Sequence, residues 1–298
     1  MPIRITQTTT ASVMLQGIET SYDAFQATSA QIASGQAITK PSDNPAGTVQ
    51  VMSYDAELTR LGQYQTNASD GLSWLGTSQN SLASMASQLQ KAQQLVQQGA
   101  NSTTDAAGRA AIANQIDTIK ASLLADANTT YLGRPIFGGT TGGSAAYDAS
   151  GNYLGDNGSV TRTVAPNTSV QVNVLGTTAF GTGASSVFSV LTQVSADLRS
   201  ANPTDNAAVG TTDLTAVQQS LTTLSNAQAS VGSSYNEVQS LQSLAQSRQT
   251  TVTTAKSTIS DLDIAKAEIA LSTQQLTYQA ALQATSKVLS LSLSGFIQ

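Results

Sequence analysis

The sequence of 298 residues contains no cysteine and no histidine. Without these residues there is no thiol nucleophile, no Ser-His-Asp triad, no imidazole zinc site and no disulfide. Charged residues make up only 10% of the chain, against about a quarter in an average protein. Most familiar catalytic arrangements are thereby excluded, and we expect no enzymatic activity, no cofactor and no metal site.

The charge that is present does not favour a polyanionic partner. The net charge is −5, and no cluster of Lys and Arg is available to bind nucleic acid or an anionic lipid surface. The sequence also lacks a run of about eighteen apolar residues, so we expect no membrane insertion. Residues 1–16 lack the charged and apolar regions of a secretory signal, which taken alone indicates a cytoplasmic protein. The absence of cysteine fits an extracellular protein equally well, and composition does not decide between the two.

Two ladders of apolar residues recur at an interval of seven. One contains Leu61, Ala68, Leu75, Leu82, Leu89 and Val96, and the other contains Val217, Leu224, Val231, Val238, Ala245, Val252 and Ile259. This interval places each ladder on one stripe of a helix, which must lie against another helix to leave water. At about 1.5 Å per residue, the second ladder alone predicts a helix of about 60 Å.

Glycine and proline divide the rest of the chain. Helical spacing covers residues 11–33, 45–98 and 105–128, and it returns at residues 187–198 and 205–259 before a last helical segment. Gly35 is placed to end the first helix, and Asn44, or Ser42 with Asp43, to cap the second. In the glycine-rich middle, residues 159–164 and 169–174 have the texture of short strands, with strict alternation in the second.

We therefore predict a mainly α fold with a small β-rich insert. The N- and C-terminal regions would form a long antiparallel helical bundle or coiled coil, with the β domain at its far tip. The expected divisions are a terminal coiled-coil domain from residues 1–40 and 263–298, a helical rod from residues 41–130 and 184–262, and an outer insert at residues 131–183.

Two groups of residues could suggest binding chemistry. The segment GGTTGG at residues 138–143 has the glycines of a phosphate-binding loop, but no Lys-Ser/Thr pair follows at the required spacing, so a flexible turn is favoured. Asp261 and Asp263 could be metal ligands or an acid/base pair. Residues two apart on a helix face different sides, so ordinary solvated charges are the better interpretation.

The two chain ends carry apolar residues that have few partners within one chain. In a monomer such residues would be exposed, and they would be buried where copies stack. We predict an assembly interface made of Leu15, Ile18, Tyr22, Phe25, Ile32, Leu276, Leu282, Leu289, Leu293 and Phe296.

Several segments resemble a known protein family. The segments IRIT (residues 3–6), IASGQAITKPSDNPAG (32–47) and NASDGLSWL (67–75) are similar to the N-terminal region shared by bacterial flagellins and the flagellar hook-associated protein 3 family. The segments NTTYLGRPIFGG (128–139) and QQLTYQAALQATSKVLSLSL (274–293) resemble the hook-associated branch in particular. The resemblance covers nearly the whole chain except the β insert.

The resemblance implies a structural adaptor that joins the hook to the filament of the bacterial flagellum and is needed for motility. It implies export in unfolded form through the flagellar type III apparatus, with a secretion chaperone and without a cleaved signal, to the extracellular hook–filament junction. The implied partners are further copies in a ring-like homo-oligomer, a neighbouring hook-associated protein and flagellin. The terminal helices would pair as an inner coiled coil that becomes ordered on assembly, with the insert facing outward.

Two other functions stay open. A short flagellin would form the filament itself rather than join it to the hook. A secreted coiled-coil adhesin or signalling module would bind its partner through the Gly/Ser-rich insert.

Overall fold

The structure is a computed structural model that describes the backbone of residues 7–294. Its helices are α1 (Gln7–Ser34), α2 (Pro45–Gly99), α3 (Ala106–Ala127), α4 (Gly176–Phe180), α5 (Val187–Arg199), α6 (Pro203–Ala208), α7 (Leu214–Ser260) and α8 (Ile264–Ser294). Two antiparallel hairpins pair β1 (Thr130–Tyr131) with β2 (Arg134–Pro135), and β3 (Thr161–Ala165) with β4 (Thr168–Gln171). The predicted class, mainly α with a small β-rich insert, is confirmed. Among the described residues, no helix has the length and apolar character needed to cross a membrane.

The chain divides into two compact units. The terminal unit comprises Met1–Arg60 with Gln249–Gln298, and the central unit comprises Leu61–Arg248, so both boundaries fall inside α2 and α7. The terminal unit is larger than the expected segments 1–40 and 263–298. The difference arises because the loop after α1 is hydrogen-bonded to the end of α7, which joins the start of α2 and the end of α7 to the terminal helices.

The heptad ladders form the centre of the central unit. Every member from Leu61 to Val96 is at most 7% exposed, and so is every member of the second ladder from Val217 to Ala245. The predicted third helix, α3, packs against α5 and buries the apolar residues spaced three and four apart, namely Ile112, Ile116, Ile119 and Leu123. Burial of these side chains at about 1.5–3 kcal/mol each is the main favourable contribution to the fold of this unit.

The insert shares its core with the helices. Val172 and Phe137 belong to the same buried cluster as Leu75 and Leu82 of α2. The predicted alternation holds only in part: Val170, Val172 and Val174 are buried and Gln171 is exposed, but Asn173 is buried and its side chain is hydrogen-bonded to the backbone of Val160 and Gly158. Residues 131–183 therefore do not form a layer of their own, since short two-stranded hairpins cannot bury enough apolar surface alone.

The helix predicted without interruption from residue 205 is broken by a π-helical turn at Val209–Asp213. At this turn Asp213 is only 4% exposed, and Asp197 is 8% exposed. Burial, followed by the charge of Asp197, raises the pKa of Asp213 to about 6. A carboxyl group turned inward on a helix carries no periodic signal in the sequence.

The Asp213 carboxyl makes the stability of the central unit depend on pH. Its pKa in the folded chain, about 6, lies above the ordinary value of 3.8, so this group loses stabilisation as pH rises from about 4 to 6. We expect Asp213→Asn to stabilise the unit by about 1–3 kcal/mol at pH 7 and to have little effect at pH 4. Unfolding followed by fluorescence of Trp74, the single tryptophan, measures this difference. If Asp213→Asn is no more stable than the parent at pH 7, the raised pKa of Asp213 is contradicted.

An aromatic cluster fills the junction between insert and helices. The rings of Phe137, Tyr147, Phe180 and Phe188 lie with centroids 4.9–5.9 Å apart. The hydroxyl of Tyr153 donates to the carbonyl oxygens of Phe137 at 3.1 Å and Asp156 at 2.7 Å. The buried hydroxyl of Tyr147 has no hydrogen-bond partner among the described residues, and burial raises its pKa.

These two tyrosines should respond differently to loss of the hydroxyl. Tyr147→Phe removes an unsatisfied buried group and should leave the free energy of unfolding unchanged or raise it by about 1 kcal/mol. Tyr153→Phe removes the hydroxyl donor of the Asp156 carbonyl, while the Phe137 carbonyl keeps the amide of Gly176, and it should lower the free energy of unfolding by about 1 kcal/mol. Denaturant unfolding of the matched pair, read from Trp74 fluorescence, distinguishes them. Equal effects of the two substitutions would show that the hydroxyl of Tyr147 is satisfied.

Candidate assembly interface

In the terminal unit, α1 and α8 lie against each other as an antiparallel pair. Six of the buried or half-buried α1 positions follow spacings of four and three, as in a coiled-coil seam: Met14, Ile18, Ser21, Phe25, Thr28 and Ile32. A matching series on α8 contains Ala267, Leu271, Gln274, Tyr278, Ala281 and Thr285. The rings of Tyr22 and Tyr278 lie 5.7 Å apart.

The direction of this pair is set by a backbone junction between the end of α1 and the break before α8. Gly35 ends α1 with a φ of +68°, in the left-handed region that favours glycine. The amide of Ala37 then donates to the carbonyl of Ser260 at 2.8 Å, and the amide of Leu262 donates to the carbonyl of Gly35 at 3.0 Å. Because α1 arrives at this junction and α8 leaves it, the two helices run in opposite directions.

Asp43 organises the loop that follows. Its carboxylate accepts hydrogen bonds from the amides of Thr39 at 3.1 Å and Lys40 at 2.8 Å, and from the hydroxyl of Thr39 at 2.9 Å. The bond from the Lys40 amide is the largest of the effects that lower the pKa of Asp43. Asn44 caps α2 by accepting from the amide of Gly47 at 2.9 Å, as expected from the sequence.

Asp261 and Asp263 have structural partners at the break between α7 and α8. Asp261 accepts from the hydroxyls of Ser257 and Ser260, and these bonds lower its pKa. Asp263 accepts from the amide of Lys266 at 3.2 Å at the start of α8, and this bond lowers its pKa. No group of three or more metal-ligating acidic residues occurs within the described chain.

The glycine-rich segment at residues 138–143 is hydrogen-bonded to a carboxylate of the chain itself. Asp156 accepts from the amide of Thr140 at 2.6 Å and from its hydroxyl at 2.7 Å. A negative charge held there repels a phosphate group, which agrees with the interpretation of this segment as a turn.

The most apolar side chains of α8 point away from α1. Ile269 is 69% exposed and Leu276 is 65% exposed. Each lies two residues before a seam residue, Leu271 or Tyr278, and two residues correspond to a rotation of about 200° around a helix. Ile264, at 56%, and Leu282, at 42%, are also exposed. From α8 the seam thus receives small or polar residues beside Leu271 and Tyr278, while Ile264, Ile269, Leu276 and Leu282 are exposed.

The residues proposed from the sequence fall into three groups. Leu15, Tyr22, Leu276 and Leu282 are exposed, between 42% and 65%. Ile18, Phe25 and Ile32 are half-buried and lie on the α1 side of the seam. Leu289 and Leu293 belong to α8 but their side chains lie outside the described ones, and Phe296 lies outside the described residues.

Among the described side chains of α1 and α8, three exposed large apolar residues were missed by the sequence-based choice: Val13, Ile264 and Ile269. For Ile269 the signal was available, because it lies seven residues before Leu276. Val13 and Ile264 have no such partner in the stripe, so only the structure separates them from the seam.

Comparisons with known proteins agree with this architecture. A family model described as the bacterial flagellin N-terminal helical region matches residues 5–141, and one described as the bacterial flagellin C-terminal helical region matches residues 214–294. The flagellar hook-associated protein 3 of Escherichia coli K12 is 25% identical over 94% of this chain and 95% of its own length. That of Salmonella typhimurium is 28% identical over 152 residues, which is 50% of this chain and 48% of the relative.

A solved structure of a flagellar hook-associated protein from Vibrio parahaemolyticus has the same fold. It has a TM-score of 0.68 at 19% identity, covering 73% of this chain and 99% of the other. Paired terminal helices with a central insert thus define a structural protein of the flagellar type. The chain belongs to the flagellin-like family of bacterial flagellar proteins, and the resemblance carried by its terminal motifs is confirmed.

The loop around Asp43 gives a prediction for the terminal unit. Its pKa is lowered in the fold, so its stabilisation is present above the ordinary value of 3.8 and is lost as pH falls through the lowered value. We expect the amides of Thr39 and Lys40 to lose hydrogen-exchange protection, corrected for intrinsic rates, as pH falls below the ordinary value of 3.8. In Asp43→Ala, protection should be low already at pH 7 and nearly independent of pH. Unchanged protection in this variant at pH 7 contradicts the role of Asp43.

Proposed function

We propose that this chain is a structural adaptor of the bacterial flagellum that joins the hook to the filament and is needed for motility. The observation that carries the proposal is the orientation of α8, which presents Ile269 and Leu276 to solvent on the side opposite its intramolecular partner. The names of the curated relatives, flagellar hook-associated protein 3, support the place in the flagellum.

The terminal helices supply the energy of assembly. Burying an exposed Ile or Leu side chain contributes about 1.5–3 kcal/mol before the costs of association are subtracted. The four exposed residues on α8, together with Val13, Leu15 and Tyr22 on α1, form repeated apolar contacts when several copies stack. Residues of the predicted interface that lie on the seam, such as Phe25, act by holding α1 against α8.

The proposed partners follow from this role. Copies of the chain form a ring-like homo-oligomer, which meets a neighbouring hook-associated protein on one side and flagellin on the other. The flagellar export apparatus and a secretion chaperone deliver the subunit to the extracellular hook–filament junction. The function requires no catalysis and no cofactor.

The runner-up function is that of a short flagellin, which the matches to both flagellin helical regions favour. The two functions differ in self-assembly. A junction adaptor forms a limited oligomer, whereas a flagellin polymerises. Growth of long filaments from the purified chain alone would therefore favour the flagellin function.

The stripe on α8 gives the central test. We expect the double variant Ile269→Ser with Leu276→Ser to keep its helical circular dichroism, because both side chains are exposed. It should weaken assembly by about tenfold or more, since about 1.4 kcal/mol is lost for each factor of ten. In cells, hooks should be completed while flagellin is released into the medium.

The matched control is Leu244→Ser, which changes a side chain that is 63% exposed on α7 in the central unit. It should swim and assemble as the parent does. Normal filaments in the double variant, or equal defects in both variants, would contradict the proposed role of α8.

A further inference from the structure

The insert contains the one Asn-Gly pair of the chain, Asn157-Gly158. An asparagine followed by glycine is prone to spontaneous deamidation, because glycine has no side chain to keep its backbone nitrogen away from the asparagine amide carbon. The pair lies in a segment without helix or strand, residues 154–160. Asn157 is exposed, and its side chain has no hydrogen-bond partner among the residues that the structure describes. This side chain therefore has no bond to break before it reacts.

The reaction uses only groups that the chain and the solvent supply. The backbone nitrogen of Gly158 attacks the side-chain amide carbon of Asn157, and the bond from that carbon to the amide nitrogen breaks. The amide nitrogen leaves as ammonia with the proton of the Gly158 N–H group, and a cyclic succinimide remains. Water then opens the ring to aspartate or isoaspartate. Ring closure thus requires the Gly158 nitrogen to lose its proton and to turn toward the Asn157 side chain.

In the fold this nitrogen is held by the carboxylate of Asp156. Oδ1 of Asp156 accepts from the amide of Gly158 at 2.9 Å. The same oxygen accepts from the amide of Thr140 at 2.6 Å, and Oδ2 accepts from the hydroxyl of Thr140 at 2.7 Å, so the carboxylate is fixed on both oxygens. The bond from the Thr140 hydroxyl is the largest of the effects that lower the pKa of Asp156. The carboxylate is therefore charged at neutral pH, and its charge opposes loss of the proton from the Gly158 nitrogen.

Gly158 is also fixed by close packing. Its carbonyl accepts from the side-chain amide of Asn173 at 3.0 Å, and Asn173 is only 6% exposed. A Cβ atom at position 158 would collide with the side chain of Thr140, so this close approach requires glycine. The residue that makes the pair reactive in an unfolded chain is thus the residue that the fold needs here. Turning its nitrogen toward Asn157 breaks the bond to Asp156 and strains the bond from Asn173.

We propose that Asn157 is a deamidation site that the carboxylate of Asp156 blocks in the folded chain and that reacts when the insert unfolds. The proposal is independent of the adaptor function, because it follows from the fold of the insert alone. The new carboxylate at residue 157 lies next to Asp156, and repulsion between the two weakens the hold on Thr140. Deamidation at this site therefore records how long the insert has been unfolded.

The first experiment compares the parent chain folded and in denaturant. Both samples are kept in mildly alkaline buffer, and mass spectrometry of tryptic fragments measures aspartate and isoaspartate formed at Asn157. We expect the folded chain to react more slowly by about tenfold or more, a factor that corresponds to about 1.4 kcal/mol. Asn152, which is followed by a tyrosine in the same insert, is the internal control and should stay intact in both samples. Equal rates at Asn157 in the two samples, or no reaction in denaturant, would overturn the proposal.

The second experiment tests the block itself in folded variants, with folding checked by circular dichroism. Asp156→Ala removes the acceptor of the Gly158 amide and should deamidate faster than the parent by about tenfold or more. Asp156→Asn keeps the shape of the side chain without its charge and should be accelerated less; it decides the question alone if Asp156→Ala does not fold. Parent-like rates in the folded Asp156 variants would show that the carboxylate is not the block.

The matched control separates the carboxylate from general loosening of the loop. Tyr153→Phe removes the hydroxyl that donates to the carbonyl of Asp156 at 2.7 Å but leaves the carboxylate in place. It should therefore deamidate at the rate of the parent. If Tyr153→Phe is accelerated as much as Asp156→Ala, loosening of the loop explains the reaction and the role proposed for the Asp156 carboxylate is wrong.

Discussion

The structure depends on the burial of heptad stripes against neighbouring helices. In the central unit this requirement is met inside the chain, where ladder residues such as Leu82 and Val238 have no exposed surface. The π-helical turn at Asp213, the α3 hairpin and the β hairpins all pack around the core that the two ladders form. In the terminal unit the same requirement is met only in part, because α1 lies against one side of α8 while Ile269 and Leu276 stay exposed.

The incomplete burial of apolar side chains in the terminal unit links the fold to the function. On the α8 side, the seam with α1 includes the small residues Ala267 and Ala281, and Gln274, whose side-chain oxygen is buried without a partner in the described chain. A pair of this kind is weaker than a leucine-rich seam. The outward side leaves Ile269 and Leu276 exposed. Under the proposed function, further copies would complete the burial that one chain leaves unfinished.

Much of the fold could be predicted from the sequence, because the spacing of apolar residues and the residues that end or cap a helix are local signals. The interval of seven predicted the buried stripes of α2 and α7. Gly35 and Asn44 marked the end of α1 and the start of α2. The terminal motifs predicted the family. The division of α8 into an inward and an outward side could not be predicted in full, since its small and polar seam residues have no hydrophobic signal. The inward turn of Asp213 depends on tertiary packing, which single-residue preferences do not report.

The central claim is that copies of this chain cover the outward side of α8. Leu276→Cys introduces the only thiol of the chain at a position that is 65% exposed, so its rate of reaction with a maleimide measures that cover directly. The account predicts rapid labelling of the isolated subunit and labelling slower by about tenfold or more in intact flagella, in line with burial at a packed interface. Equal rates in the two states would contradict it.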